Sequence, residues 1–442
     1  MAQHADPHAA RDAASRILRR LRDAGHTAYF AGGCVRDELL GLHPADYDIA
    51  TAAHPGQVAA LFPGTHAVGA AFGVVLVPIA RSRGSGVVEV ATFRTDSDYT
   101  DKRRPDRVSF ADAPGDAQRR DFTINALFLD PLEQPDPLTC AVFPPAAGVR
   151  GRVIDHVAGL RDLADRVVRA VGDPDVRLAE DHLRALRAAR FAARLGFTLD
   201  APTAAAITRH ARQLGGVSRE RIGQEIRRML LHPSRADAVA ILTALGLDGP
   251  TLNEPALAPD EPNRPEPLCP TLAGLPPACP LATALAAWIL DRHAPLSHAP
   301  SHELIAAVLQ RWRGALMLSN SERDATRQVL TLLDRAGKEW PGMGTAARKR
   351  WFSDDLSDQA LTILATTDKF LYSDMLTDLA VLTKTKSGIR PDPLLTGDEL
   401  VAAGLKPGPA FKRILERVYD AQLEERVTTQ QEALELARSL CV

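Results

Sequence analysis

Apolar residues at Ala14, Ile17, Leu18 and Leu21 recur at helical spacing, so the chain is expected to open with a helix over residues 11–24. From His26 to Asp130 the texture shortens. Residues 27–31, 47–50, 74–79, 87–93 and 122–129 are short β-type runs broken by glycine, with helical pieces at 34–40 and 55–61. That mixture predicts an α+β unit built on one small sheet. Beyond Gly159 the pattern is almost wholly helical: 180–194, 201–213, 219–231 and 236–245 each carry helix-period apolar positions and end at a Gly or Pro break. Residues 250–280 are dense in proline and predict an irregular insertion. Helical texture resumes over 281–382, a last segment runs to Val442, and there is no internal repeat. The expected organisation is an α+β head over 1–150, a helical neck over 151–245, a proline-rich linker over 246–285, and a helical body and tail over 286–442.

Composition changes this picture little. A chain of 442 residues accommodates about three units of roughly 150 residues. No apolar run approaches the length of about 18 residues that a membrane span needs. The opening residues lack the basic-then-apolar pattern of a secretory signal, so a cytoplasmic protein with no membrane association is expected. The five cysteines are scattered and form no CxxC pair, which argues against a disulfide framework and a cysteine-ligated zinc. A net charge of −2 gives no support to nucleic-acid binding, so any RNA surface must come from local clusters of arginine.

The candidate chemistry begins at Gly32-Gly33, where a strand runs into paired glycines and then a helix. Residues without Cβ let a phosphate approach the backbone, and the helix behind offers unpaired N–H groups. Arg36 in the first turn adds a forked donor to the same phosphates. Asp46-Tyr47-Asp48-Ile49 then sets two carboxylates at i and i+2 at the start of a strand. Alternation puts both on one face, with Tyr47 and Ile49 on the other. Alone, such a pair also describes a solvated strand end. A phosphate loop a short way upstream favours magnesium, which takes oxygen ligands and leaves positions for substrate phosphates. Glu89, in an otherwise apolar strand, faces either solvent or that metal pair. In Arg119-Arg120-Asp121-Phe122-Thr123-Ile124-Asn125 two arginines precede an acid and a strand carrying Asn125. Arginines pair bidentately with a triphosphate, and Asn125 is a hydrogen-bonding partner for a ribose hydroxyl or phosphate.

Taken together, Gly32-Gly33-x-Val35-Arg36-Asp37, Asp46-x-Asp48 and Arg119 through Leu127 resemble the class II tRNA nucleotidyltransferase and bacterial poly(A) polymerase family. The resemblance implies a polymerase-β-like head followed by a mostly all-α neck, body and tail. It further implies that Asp46 and Asp48 ligate Mg²⁺ and that Glu89 completes the catalytic set. Gly32, Gly33, Arg36, Arg120, Asp121 and Asn125 then hold the nucleotide. The partners implied are a tRNA 3′ end, CTP and ATP, with no protein partner.

In the helical part, Glu180-Asp181-x-x-Arg184 with Arg187 resembles the family element that selects the base. On one continuous helix, Glu180, Arg184 and Arg187 share a face, and an ordinary intrahelical ion pair explains them equally well. Carried across, Asp181 and Arg184 read the Watson–Crick edge of CTP and ATP. Arg221-x-x-x-Glu225 is similar to a helix that supports this pocket from behind. The polar stretch 95–106 looks like the family's flexible loop, implicated in switching from C to A; a solvated hairpin connection has the same composition. Residues 393–400 and 404–409, with Lys406, resemble the C-terminal element of bacterial tRNA nucleotidyltransferases, and an ordinary helical hairpin explains them as well. The chain has no His-Asp dipeptide, so the phosphohydrolase activity of some relatives is not expected. The leading expectation is CCA addition. The alternatives are a CC-adding, A-adding or poly(A)-adding relative, and a non-catalytic RNA-binding one.

Overall fold

A computed structural model describes residues 7–65, 73–79, 86–97, 107–143, 149–255, 269–293, 302–404, 408 and 410–440. The prolines over 256–268, the polar stretch from 98 to 106 and Lys406 lie outside the described residues. The described chain falls into two compact units. One runs to Glu225 and takes in 241–255; the other holds 226–240 and the residues from 269 onward.

In the first unit, α1 (Pro7–Asp23) forms as its spacing predicts: Ala14, Ile17, Leu18 and Leu21 are buried while Arg16, Arg19 and Arg20 face solvent. Six strands make one mixed sheet in the order β3-β4-β2-β1-β7-β8. They are β1 (Ala28–Ala31), β2 (Ile49–Thr51), β3 (Val74–Pro78), β4 (Val87–Thr92), β7 (Phe128–Asp130) and β8 (Arg152–Ile154). The helices α2 (Gly33–Leu39) and α3 (Pro55–Leu61) fill the connections after β1 and β2. A β2–β4 pair is parallel because α3 and β3 carry the chain back across the sheet; the other pairings are antiparallel. Arg152–Ile154 extends the sheet past the expected head boundary at 150. A separate antiparallel ribbon pairs β5 (Arg94–Ser97), which holds the start of the polar stretch, with β6 (Arg107–Phe110), which follows it. The core on this side gathers Ala31, Ala50, Phe93, Ala113, Ala117, Ala126, Phe128 and Val171.

Three expected elements change. The strand expected over 122–129 is mostly not a strand. Thr123–Asn125 is a 3₁₀ turn and only Phe128–Asp130 pairs in the sheet. The Thr123 hydroxyl donates to Asp162 at 2.7 Å, and Gly159 packs so closely that a Cβ there would lie 2.2 Å from the Thr123 carbonyl oxygen. Those contacts hold the turn. The helix expected over 180–194 is two helices, α7 (Pro174–Glu180) and α8 (Leu183–Leu195), after α4 (Ala113–Gln118), α5 (Pro137–Val142) and α6 (Gly159–Ala164). Asp181 takes an extended backbone with φ −153°, and its carboxylate caps the Leu183 N–H at 3.1 Å. The third change concerns the aspartates: Asp46 and Asp48 precede β2 rather than start it, although the alternation holds, with Tyr47 and Ile49 buried and both aspartates exposed. The parallel two-residue pair β9 (Val167–Val168) and β10 (Thr198–Leu199) brackets α7 and α8, and α9 (Ala201–His210) and α10 (Arg219–Leu230) follow.

Among its described residues the second unit carries helices and no strand, Leu281–His293 and Gln430–Ser439 among them. Trp288 and Trp312 meet at 4.8 Å between ring centroids, and a tail core closes on Leu395, Leu400, Ile414, Val418 and Val427. Ser319 with Glu322, Thr396 with Glu399 and Thr429 with Glu432 each form a capping box that starts a helix. No described helix is long and apolar enough to cross a membrane.

Candidate active site

The sheet register brings the acids together. Ile49 pairs with Val90, so Asp48, just before β2, comes alongside Glu89, the third residue of the parallel strand β4. Desolvation, Glu89 and Asp46 raise the Asp48 carboxyl to about 7, against a smaller opposing effect of Arg120. Glu89 is itself raised by desolvation and by Asp46, with Arg94 opposing. Asp48 thus feels the charge of both Glu89 and Asp46, and Glu89 that of Asp46. Among the described residues, no three His, Cys, Asp or Glu groups form a ready metal cage. Magnesium does not require one. It is usually held by one or two carboxylates together with substrate phosphates, and the hard oxygen donors here fit that chemistry.

The Gly32-Gly33 turn is pinned beside these acids. Ala31 N–H donates to the Asp48 carbonyl and Gly32 N–H to the Leu127 carbonyl, both at 3.0 Å. Gly32 holds φ 79° and ψ −125°, and a Cβ there would lie 2.9 Å from Arg120 Nη1. Only glycine satisfies both demands. Tyr47, between the aspartates, donates its hydroxyl to buried Glu38 at 2.6 Å, and Arg11 donates to the same carboxylate oxygen at 2.6 Å.

Arg36 sits inside the protein rather than at the surface. Its Nε and Nη2 donate to Asp37 at 2.8 and 2.6 Å, its Nη1 donates to the Asn125 side-chain oxygen, and it stacks over Phe191. Three of its five N–H groups are engaged with protein and the side chain is 2% exposed, so burial withholds the expected phosphate fork in this arrangement. Asn125 relays the contact, its Nδ2 donating to Asp121 at 3.1 Å. Burial alone would raise Asp121; Arg187 beside it, hydrogen bonds from Asn125 and Arg187, and nearby Arg184 bring it down to about 2. Arg187 Nε donates to Asp121 at 2.7 Å, which joins the Arg119–Asn125 segment to α8. Arg120 is half-buried over Phe128, with Nη1 donating to the Asn125 carbonyl at 3.0 Å.

Asp181 does not pair with Arg184. It receives Arg221 bidentately, Nη1 at 3.1 Å and Nη2 at 2.6 Å. Arg184 Nη1 donates instead to Glu180 at 2.6 Å and to the Arg177 carbonyl at 2.7 Å. Glu225 is buried and accepts from Arg190 Nε at 2.6 Å, with Arg187 Nη1 3.9 Å away. Two of the buried acids that sequence reasoning missed hold the Arg119–Asn125 segment in place. Asp116 is 1% exposed and binds both Arg119 and Arg120; its place at i, i+3, i+4 was the only signal. Asp162 accepts from Thr123 and Arg169, and nothing local in sequence announces it.

Comparison with known proteins identifies the family to which this fold belongs. Residues 28–169 match the Poly A polymerase head domain, and residues 196–257 match the probable RNA and SrmB-binding site of polymerase A. Head and sheet therefore define a nucleotidyltransferase. Over nearly its whole length the chain is 33% identical to the CCA-adding enzyme of Levilactobacillus brevis, across 416 residues covering 93% of this chain and 92% of the relative. The Lactiplantibacillus plantarum CCA-adding enzyme is likewise 33% identical, covering 96% and 94%. The solved Bacillus stearothermophilus CCA-adding enzyme in complex with CTP matches with a TM-score of 0.73 at 26% identity, covering 98% of each chain. The chain belongs to the CCA-adding enzyme family.

Proposed function

We propose that this chain adds CCA to the 3′ end of tRNA from CTP and ATP, in the cytoplasm, where such a substrate is found. The observation that carries the chemistry is the acid cluster: the Asp48 carboxyl, raised to about 7 by local desolvation, Glu89 and Asp46 although the residue as a whole is exposed, stands beside the Gly32 turn and within the influence of Arg120. A carboxylate cluster of that kind is stabilised by a cation. In this reading Asp46 and Asp48 hold Mg²⁺, with Glu89 beside them. Bound there, Mg²⁺ would supply charge stabilisation as the tRNA 3′ hydroxyl oxygen forms its bond to the α-phosphorus of the incoming nucleotide and pyrophosphate leaves.

The chain's own residues divide the remaining work. Gly32 and Gly33 leave room at the backbone for the triphosphate, and Arg120 directs its fork at it. Asn125 and Asp121 stand behind, held by Arg36 and Arg187, which we assign to positioning rather than to phosphate contact. Asp181 and Arg184 face the base, Asp181 oriented by Arg221 and Arg187 backed by Glu225. Likeness to a relative solved with CTP supports the nucleotide assignment.

The test uses purified protein, Mg²⁺ and tRNA lacking its last three nucleotides, offered CTP, ATP or both, followed by sequencing of the ends. CCA in the presence of both nucleotides is expected. Arrest at CC, A addition alone or long adenosine tracts would each replace CCA addition with a narrower activity of the same site. No incorporation would leave an RNA-binding protein.

A further inference from the structure

Arg120 serves the triphosphate only if its guanidinium is held in place, and the residue that holds it is Asp116. This carboxylate is 1% exposed. Its Oδ2 accepts from Arg120 Nε at 3.1 Å and Nη2 at 3.0 Å. Its Oδ1 accepts from Arg119 Nε at 2.9 Å and Nη2 at 2.6 Å, and from the Arg94 N–H at 3.3 Å. Arg119 Nε also reaches the Arg94 carbonyl at 3.0 Å, at the start of the β5–β6 ribbon.

An arginine carries five N–H groups. Asp116 and the Asn125 carbonyl fix three of those on Arg120. The remaining two, one on each terminal nitrogen, have no partner among the described residues and form a fork that matches a phosphate oxyanion. The C-terminal end of α4, which carries Asp116, also meets Arg177 and Arg184. The Gln118 carbonyl accepts from Arg177 Nη2 at 2.8 Å and the Arg119 carbonyl from Arg184 Nη2 at 3.5 Å.

We propose that Asp116 is a positioning residue of the nucleotide site: it aims the Arg120 fork at the triphosphate and ties that fork to the frame that carries Arg184. The inference rests on the reading that Arg120 meets the triphosphate. Charge and position make opposite predictions here. Replacing Asp116 with Asn adds a net positive charge beside the site, which on Coulomb grounds alone tightens binding of a polyanion. Loss of position weakens it.

The experiment is calorimetric titration of the full-length protein, in Mg²⁺, with CTP and separately with inorganic tripolyphosphate. Asp116→Asn is expected to weaken both about tenfold, the effect of one lost charge-assisted contact. The preference for CTP over UTP should stay unchanged. Asp116→Glu keeps the charge but displaces the carboxylate, so it carries the test if the Asn variant does not fold; it too should weaken both ligands several-fold. Affinity equal to or tighter than wild type in a folded Asp116→Asn protein overturns the proposal, as does unchanged affinity in Asp116→Glu. Arg120→Ala is the control for the reading beneath it. If that variant binds both ligands normally, Arg120 does not meet the triphosphate and the proposal falls with it. If Arg120→Ala weakens binding and the Asp116 variants do not, only the positioning role is refuted.

Discussion

Replacing Gly32 with alanine separates the two reasons this position is glycine. Its backbone, φ 79° and ψ −125°, lies where L side chains are rarely found. Holding alanine there is expected to cost about 1–3 kcal/mol. The added Cβ would also stand 2.9 Å from Arg120 Nη1, closer than real contacts allow. Arg120 cannot swing away freely, because Asp116 and the Asn125 carbonyl hold it. Strain therefore appears in stability, and displacement of Arg120 in nucleotide affinity, where one disturbed charged contact is worth about tenfold. Two controls divide these effects. Gly172 has φ 70° and a Cβ added there would meet nothing within 4 Å, so Gly172→Ala should show the strain alone. Gly33 has no positive φ and its nearest neighbour would be Arg36 Nη2 at 3.6 Å, so Gly33→Ala should be nearly neutral in stability. Urea midpoints and CTP titrations on the three variants give the answer. A Gly32→Ala protein that loses stability like Gly172→Ala yet binds CTP as tightly as wild type would refute the claim that the Gly32 turn and Arg120 form one site.

Other perturbations test other parts of the network. Asp121, held at about 2 against an unfolded value near 3.9, contributes on the order of 2 kcal/mol that is present above pH ~4 and lost as pH falls toward 2. The urea midpoints of wild type and Asp121→Asn should therefore differ at pH 7, with the gap shrinking below pH ~4 and closing only as pH approaches ~2; a constant gap would show that Asp121 is not held ionised by Arg187. Tyr47→Phe keeps the ring against Phe30 and removes the hydroxyl that donates to Glu38, which should cost about 1 kcal/mol in thermal or urea unfolding. An unchanged midpoint would mean that hydrogen bond contributes nothing to stability. Arg221→Ala frees Asp181 from its two-point partner, and should reduce the preference for CTP and ATP over UTP and GTP roughly tenfold. Unaltered discrimination would remove Arg221 from the base-selecting pocket.

Much of the first unit was legible from the alternation of residue types. The burial of Tyr47 and Ile49 against exposed Asp46 and Asp48 follows from period two, and α1 from period 3.6. What was not legible depends on partners distant in sequence. Asp181 leaves the helix because its carboxylate caps Leu183 and receives Arg221, 40 residues on. Thr123–Asn125 turns because Asp162 and Gly159 close over it, contacts that no local pattern encodes. Arg36 reads as a surface donor after a glycine pair, yet Asp37, Asn125 and Phe191 enclose it. Asp116 looked like any residue three and four positions before two arginines; its meaning came from burial and from the place its partners occupy beside Gly32.

The central claim is that the Asp46–Asp48–Glu89 cluster drives addition of CCA. The direct measurement is sequencing of tRNA 3′ ends after incubation with CTP, ATP and Mg²⁺, run side by side with wild-type protein and an Asp46→Ala, Asp48→Ala double variant, with tRNA binding measured on both. The account predicts CCA ends from the wild type, no added nucleotides from the variant, and similar tRNA affinity for the two, because groups elsewhere neutralise the phosphates. CCA ends from the variant at the wild-type rate would contradict it.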